Sequence, residues 1–184
     1  MKHLSVFALA PQPLLIELGR LLSDIPAADV YQLHREPPDW KWQDHPDGFD
    51  FMVKKPEITY PTVALNLSLS AIVDNSRITS VLGDDTSIWT MTIDTPYNDF
   101  LKSKEQLSLF RQKFRILMDQ IKSVHGHDNE LHLFLAAPVA IAVEIGRVWM
   151  PKADLPLIVY DENRQNGGFS KAIVITSVGQ SLTA

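Results

Sequence analysis

The sequence predicts an α/β fold with a mainly parallel sheet, and three observations support this prediction. Short apolar runs, at residues 4–10 and 131–137, are typical of buried parallel strands. An amphipathic stripe with helical spacing follows Ser103. A strand–helix–strand pattern occurs twice in the chain, and alternation of helices with strands favours a parallel sheet.

The repeated unit is a gapless internal match between residues 7–20 and residues 134–147. Six residues recur at identical spacing, namely Phe7/Phe134, Ala10/Ala137, Pro11/Pro138, Glu17/Glu144, Gly19/Gly146 and Arg20/Arg147. Each copy then continues into an apolar segment that ends in tyrosine, at residues 28–31 and 157–160. An internal duplication is the hypothesis that follows.

Within each copy the residue types predict local structure. Proline at positions 11 and 138 suits the beginning of a helix, because its fixed φ and missing N–H are tolerated there. Glycine at positions 19 and 146 is unfavourable inside a helix, which predicts close packing of each helix against the sheet. The glutamate three residues before each arginine predicts an i,i+3 ion pair, with solvated side chains as the alternative.

The segment between the copies has a different texture. Residues 37–61 are predicted to form a long loop, and residues 63–70 alternate as a strand with Asn66 and Ser68 on its polar face. Residues 87–94 predict a further strand. Ser103 and Gln106 form a capping box for a helix that ends near Gly126. After the second copy, residues 161–170 predict a polar loop and residues 171–177 a last strand.

Composition restricts the classes of function. The 184 residues carry a net charge of −5, contain no cysteine and show no basic run, so a long nucleic acid is not an expected partner. A small anionic ligand held in a local pocket remains compatible with this charge. No apolar run approaches the roughly 20 residues that cross a bilayer, and no signal peptide is evident. We therefore expect a cytoplasmic location and no membrane partner.

Candidate binding residues follow from the predicted topology, since ligands of open parallel sheets bind beyond the carboxyl ends of the strands. The two repeated turns place Pro11, Gln12 and Pro138 there, although neither turn carries a dinucleotide or Walker motif. The polar face of the alternating strand adds two candidates, Asn66 and Ser68. All candidates from the loops and the alternating strand are Arg35, Trp40, Trp42, Asn66, Ser68, Tyr160, Asn163 and Arg164.

Each of these residue types suits a nucleotide. Arginine pairs with phosphate, and aromatic rings stack on bases. The alternative is that the turns are ordinary connections and the loops are solvated, with their aromatic rings packed on the core.

The sequence predicts no catalytic residue and no metal site. His125, His127 and His132 are close in sequence, but the first two suggest a turn at a helix end and the third lies along a strand. No G-x-S-x-G elbow is present. No cofactor is expected.

Taken together, these motifs resemble a SAVED domain. Residues 7–20, 30–35 and 40–42 are similar to the beginning of that domain, and Pro138, Gly146 and Tyr160 with their neighbours are similar to its second half. The resemblance implies two fused CARF-like Rossmann-type units, here with pseudo-repeat halves at about 1–100 and 101–184 of a single domain.

The resemblance also implies a function. SAVED domains are sensors in bacterial antiphage defence, in CBASS and some CRISPR-linked systems, that bind a cyclic di- or trinucleotide such as cyclic triadenylate or cyclic GMP-AMP. Binding drives homo-oligomerisation, which activates a fused or separate effector such as a nuclease, a TIR domain or a protease. Two alternatives are a ring nuclease that cleaves the cyclic oligonucleotide and an interaction scaffold that binds no small molecule.

Overall fold

The computed structural model describes residues 3–23, 27–163 and 167–177, and these residues form two sheets. The smaller sheet pairs β1 (Leu4–Val6) with β2 (Ala28–Val30) in parallel, and α1 (Gln12–Leu22) connects them. The larger sheet has six strands: β3 (Met52–Lys54), β4 (Thr62–Ser68), β5 (Thr86–Thr92), β6 (Leu131–Ala136), β7 (Leu157–Asn163) and β8 (Gly168–Ile175). Their order is β3-β5-β4-β6-β7-β8, with antiparallel pairing only of β3 with β5 and of β7 with β8. The predicted α/β class with a mainly parallel sheet is confirmed.

Three further helices are α2 (Asn75–Leu82), α3 (Lys104–His125) and α4 (Val139–Val148). Alternate residues of β4 point to opposite faces of the sheet, so Val63, Leu65 and Leu67 share the main core with residues of α3 and α4. Ala64 belongs to a second core with Ile78 of α2. The six-stranded sheet is therefore covered on both faces.

The repeated helices α1 and α4 pack directly against each other, and the two repeated glycines make this possible. A Cβ on Gly19 would lie 1.9 Å from the carbonyl oxygen of Val143, and a Cβ on Gly146 would lie 1.9 Å from that of Ile16. Val143 and Ile16 are themselves equivalent in the repeat, so the contact is two-fold-like. The sequence predicted that these glycines pack each helix closely against the sheet. This prediction is wrong, because each glycine contacts the other repeated helix instead.

Most predicted elements are present with small shifts of their ends. Ser103 and Gln106 make the capping box of α3, and Gly126 follows its last residue. The predicted polar loop at residues 161–170 is mostly strand, because β7 extends to Asn163 and β8 begins at Gly168. The helix α2 and the strand β3 were not predicted. The predicted division near residue 100 falls between β5 and α3, inside the span of the six-stranded sheet.

Candidate ligand-binding site

The two repeated turns meet at one junction. Pro11 and Pro138 are the N-cap residues of α1 and α4. The Gln12 side chain donates a hydrogen bond from Nε2 to the carbonyl oxygen of Ala137 at 2.8 Å, which ties the first turn to the second. The backbone N–H of Ala140 donates to Oε1 of Gln32, which follows β2, at 3.2 Å. The carboxyl ends of β1, β2 and β6 therefore converge, as the duplicated pattern predicts.

An aromatic cluster stands beside this junction. Phe7 stacks on Tyr31 with ring centroids 4.5 Å apart, and Trp40 meets Phe7 edge-on at 5.2 Å. Trp42 lies 6.4 Å from Tyr31 in a stacked arrangement and packs edge-on against His34. Phe7 remains 55% exposed. We call these five residues the aromatic cluster, and it leaves ring surface open to solvent.

The two predicted tryptophans belong to this cluster, whereas Phe7 and Tyr31 were not predicted as site residues. The sequence singles out Phe7 as a repeated residue, but this recurrence does not indicate a binding site. Its repeat partner Phe134 is fully buried, so identity within the repeat indicates a core residue.

The loop after β2 is held by one carboxylate. Asp99 accepts hydrogen bonds from the backbone N–H of Arg35 at 2.9 Å and from Nζ of Lys102 at 2.6 Å. Burial acts to raise the pKa of Asp99, but these hydrogen bonds outweigh it and hold the pKa below its ordinary value. The Arg35 side chain is exposed, and its guanidinium makes no hydrogen bond or ion pair within the described ranges. This arginine is therefore available to an anion.

Four buried polar atoms lack a hydrogen-bond partner in the part of the chain that the structure describes. They are Oε1 of Gln12, both ring nitrogens of His34 and Nε1 of Trp42. Burial lowers the pKa of His34, so the ring is neutral at physiological pH. A buried polar atom without a partner is costly, and native proteins pair such atoms with protein, water or ligand. All four atoms lie at the start of α1 or in the loop after β2, which singles out this region.

Asn66 and Ser68 line a different cavity, of about 470 Å³, on the α2 face of the sheet. Asn66 donates to the carbonyl oxygen of Val73 at 2.8 Å, and Ser68 accepts from the N–H of Val73 at 2.9 Å. These bonds fix the connection between β4 and α2. No residue of the junction or the aromatic cluster lines this cavity.

The charged residues that line this cavity are Asp74, Asp94 and Lys54, and this excess of negative charge disfavours a phosphate. The structure therefore separates Asn66 and Ser68 from the other predicted site residues.

Tyr160, which was predicted from the second copy, packs in the smaller core and makes none of the contacts described at the junction. Tyr160 is buried, stacks on Phe134 at 4.3 Å, and its hydroxyl lies 3.0 Å from Nδ1 of His132. Burial raises the pKa of Tyr160 and lowers that of His132. Asn163 is the last residue of β7 and is half-buried. Arg164 lies outside the described residues.

His125 is the last residue of α3. Nε2 of His125 accepts a hydrogen bond from Nε1 of Trp89 at 3.0 Å, so this histidine has a role in packing. Within the ranges that the structure covers, no three histidine or acidic side chains group as metal ligands. None of the helices in those ranges is both long and apolar enough to cross a membrane.

Comparisons with known proteins identify the architecture. The sequence profile of the SAVED family, described as the SMODS-associated and fused to various effectors sensor domain, matches residues 1–175. No curated protein sequence matches this chain.

Several solved structures are similar to this chain. One is the Acinetobacter baumannii Cap4 SAVED/CARF-domain containing receptor with the cyclic trinucleotide 3'3'3'-cAAA, at a TM-score of 0.67 and 14% identity. The same receptor with 2'3'3'-cAAA gives a TM-score of 0.65 at 13% identity, and the Moraxella osloensis Cap4 receptor gives 0.60 at 16%. Each match covers 92% of this chain, and 38%, 37% and 36% of the respective receptors, so the chain spans little more than a third of their length.

Proposed function

This chain belongs to the SAVED family, and we propose from that premise that it binds a cyclic di- or trinucleotide as a sensor in bacterial antiphage defence. The Acinetobacter baumannii Cap4 receptor, which has a similar fold, is solved with cyclic trinucleotides. A local pocket for a small anion also agrees with a chain whose net charge is −5.

The ligand site of this proposal is the junction of the two repeated turns together with the loop after β2. The observation that carries it is that, within the described part of the chain, the buried polar atoms without a hydrogen-bond partner all belong to Gln12, His34 and Trp42. A nucleobase edge supplies both donors and acceptors, so it can satisfy groups of this kind where the apolar surroundings leave them unpaired.

The remaining groups suit the rest of a nucleotide. The exposed ring of Phe7 and the half-exposed ring of Trp40 offer surfaces on which bases stack, which contributes about 1–3 kcal/mol per base. The free guanidinium of Arg35 suits a phosphate, with which it makes charge-assisted hydrogen bonds. The beginning of α1 near Pro11 adds the positive end of a helix dipole.

The second copy of the repeat would contribute scaffold more than contacts. In this proposal Pro138 shapes the junction and Tyr160 supports neighbouring elements, as do Asn66 and Ser68 of β4, a strand between the two copies. Asn163 and Arg164 remain candidates for the rim of the site.

Isothermal titration calorimetry with a panel of cyclic di- and trinucleotides tests the proposal directly. The panel includes both cyclic triadenylate linkages and cyclic GMP-AMP, with linear triadenylate as the control ligand. We expect one cyclic compound to bind, and Phe7→Ala to weaken binding by at least about tenfold through the loss of stacking. Ile116→Ala is the matched control, because this side chain is also 55% exposed but lies on α3.

Two results would count against the proposal. Absence of binding for the whole panel at high micromolar concentration, with no ligand-dependent rise in melting temperature, would favour a scaffold that binds no small molecule. Appearance of linear products during incubation would identify a ring nuclease instead of a sensor.

The output of the sensor follows from the same premise. We propose that the bound state favours a homo-oligomer that activates a fused or separate effector, such as a nuclease, a TIR domain or a protease. A ligand shifts this equilibrium only by its differential affinity for the two states. Sedimentation velocity with and without the ligand found by calorimetry checks this step, and an unchanged sedimentation coefficient would contradict it.

A further inference from the structure

The outward face of α1 exposes apolar side chains to solvent. Leu14 is 55% exposed and Leu21 is 67% exposed, although the same helix buries Leu15 and Ile16. Glu17 lies between the two exposed leucines, and spacings of three and four residues place all three on one face of the helix. We call Leu14, Glu17 and Leu21 the outer face of α1.

The second copy of the repeat shows what covers the equivalent face of α4. The equivalent residues are Ile141, which is fully buried, Glu144, which is 1% exposed, and the partly buried Val148. The helix α3 packs there, and its Arg111 donates a hydrogen bond from Nη1 to Oε1 of Glu144 at 3.2 Å. Val148 and Arg111 line the same cavity between the two helices.

The two glutamates differ in the cations that they contact. Glu144 is paired with two arginines, Arg111 from α3 and Arg147 of its own helix. Glu17 is paired with Arg20 of its own helix at 2.6 Å, and within the described ranges no second cation reaches it. Among the described residues, no cation from another element contacts Glu17 as Arg111 of α3 contacts Glu144.

We propose that the outer face of α1 is a docking surface for an amphipathic helix of a partner polypeptide. This helix carries an apolar stripe over Leu14 and Leu21 and an arginine opposite Glu17, as α3 does for α4. The internal repeat defines this chemistry, because the apolar residues at equivalent positions are covered in one copy and exposed in the other, and the 14% exposed Glu17 lies between them. The proposal is independent of nucleotide binding.

The probe for this surface is a synthetic peptide with the sequence of α3, residues 104–125, labelled with a fluorophore and stabilised as a helix by a staple. Asp119 and Ser123 suit the staple, because both are exposed, lie four residues apart and do not line the cavity between α3 and α4. Fluorescence anisotropy reports binding of this peptide to the intact chain. We expect saturable binding.

Matched variants locate the site of binding. Leu14→Asp and Leu21→Asp should each weaken binding by at least about tenfold, because a carboxylate replaces apolar contact. Ile58→Asp should leave the affinity unchanged, since this side chain is equally exposed at 60% but lies in the segment before β4. Thermal melts of all three variants verify that they fold, and two separate leucine positions guard against failure of one variant.

A charge reversal tests the arginine. A peptide with Arg111→Glu should bind the unmodified chain at least about tenfold more weakly and regain affinity for the Glu17→Lys variant. No binding at millimolar peptide concentration, or equal affinity for the unmodified chain and the leucine variants, would overturn the proposal. A dimer of the chain that Leu14→Asp dissociates in sedimentation equilibrium would also overturn it, because a second copy would then cover the face.

Discussion

Phe7 and Phe134 occupy equivalent positions of the repeat, yet Phe7 is 55% exposed and Phe134 is fully buried. The same contrast holds between the two regions as wholes. The second copy sits inside a six-stranded sheet covered on both faces, whereas the first has two strands of three residues each. Within the described residues, all four unpartnered buried polar atoms belong to the first copy or to the loop after it.

The comparison teaches that a duplicated motif can divide its tasks. The second copy contributes far more buried apolar side chains to the core than the first copy does, and burial of apolar surface is the main stabilising contribution to folding. The first copy keeps apolar and polar groups available, which lowers its share of stability and leaves surface for recognition. Three predictions test this division, beginning with the largest expected effect.

Alanine at the two phenylalanines should separate stability from recognition. Phe134→Ala removes a ring that packs against Tyr160 and Phe169, so we expect the free energy of unfolding to fall by about 4 kcal/mol. Phe7→Ala should cost about 1 kcal/mol, because the ring is already half in water. Chemical denaturation measures both values, and equal losses would contradict the division.

Alanine at the two glycines should instead reveal what the copies share. Gly19→Ala and Gly146→Ala each place a Cβ against a backbone carbonyl that cannot retreat without separating α1 from α4. We expect each to lower the free energy of unfolding by about 3 kcal/mol. Gly168→Ala is the control, because nothing lies within 4 Å of the position that its methyl group would take, and no change is expected. A large difference between the two repeat positions would show that the helix contact is not two-fold-like.

The smallest effect concerns pH. Burial lowers the pKa of His34 from 6.5, so the unfolded chain binds a proton at this residue more readily than the folded chain does. The stability that the neutral ring contributes is present above pH 6.5 and is lost as the pH falls through the folded pKa. Asp99, whose Oδ1 lies 3.9 Å from Nδ1 of His34, and Asp39 act to raise the pKa of His34, whereas Lys102 acts to lower it.

Thermal melts across this acidic range, of the unmodified chain and of His34→Gln, provide the measurement. The variant should show a smaller decline. Burial also lowers the pKa of His132. Melts of His132→Gln over the same pH range therefore give the corresponding measurement for the second copy. Identical pH profiles for the unmodified chain and the His34→Gln variant would show that His34 does not titrate as expected.

The sequence predicted those elements whose local signals are complete. The capping box at Ser103 and the glycine at 126 delimit α3 without reference to the rest of the chain. The helix α2 was missed because it buries one side chain, Ile78, and so has no apolar stripe, although Asp74 caps its beginning. The strand β3 has three residues and lies at the edge of the sheet, too short for an alternating pattern.

Some residues of the proposed site were singled out by the sequence for a similar reason. Trp40 and Trp42 stand out in a polar segment, and the repeat itself marks Gln12 and Pro138 as neighbours of helix starts. What surrounds a residue depends on long-range packing, so the exposure of Phe7 and the burial of Tyr160 were not readable from their local sequence. The partner of each repeated glycine was equally invisible, because close packing on a sheet and on a helix require the same residue.

The loop after β2 is fastened to the start of α3 at several points. Asp99 and Lys102 bind its first part, the N–H of Gln43 donates to the carbonyl oxygen of Lys102 at 2.8 Å, and Nδ1 of His45 lies 2.9 Å from Oγ of Ser103. A displacement of this loop that breaks none of these bonds must carry the beginning of α3 with it. The 22 residues of α3 extend for about 33 Å. A rigid movement of the beginning of the helix, near the aromatic cluster, would therefore also move its far end at His125.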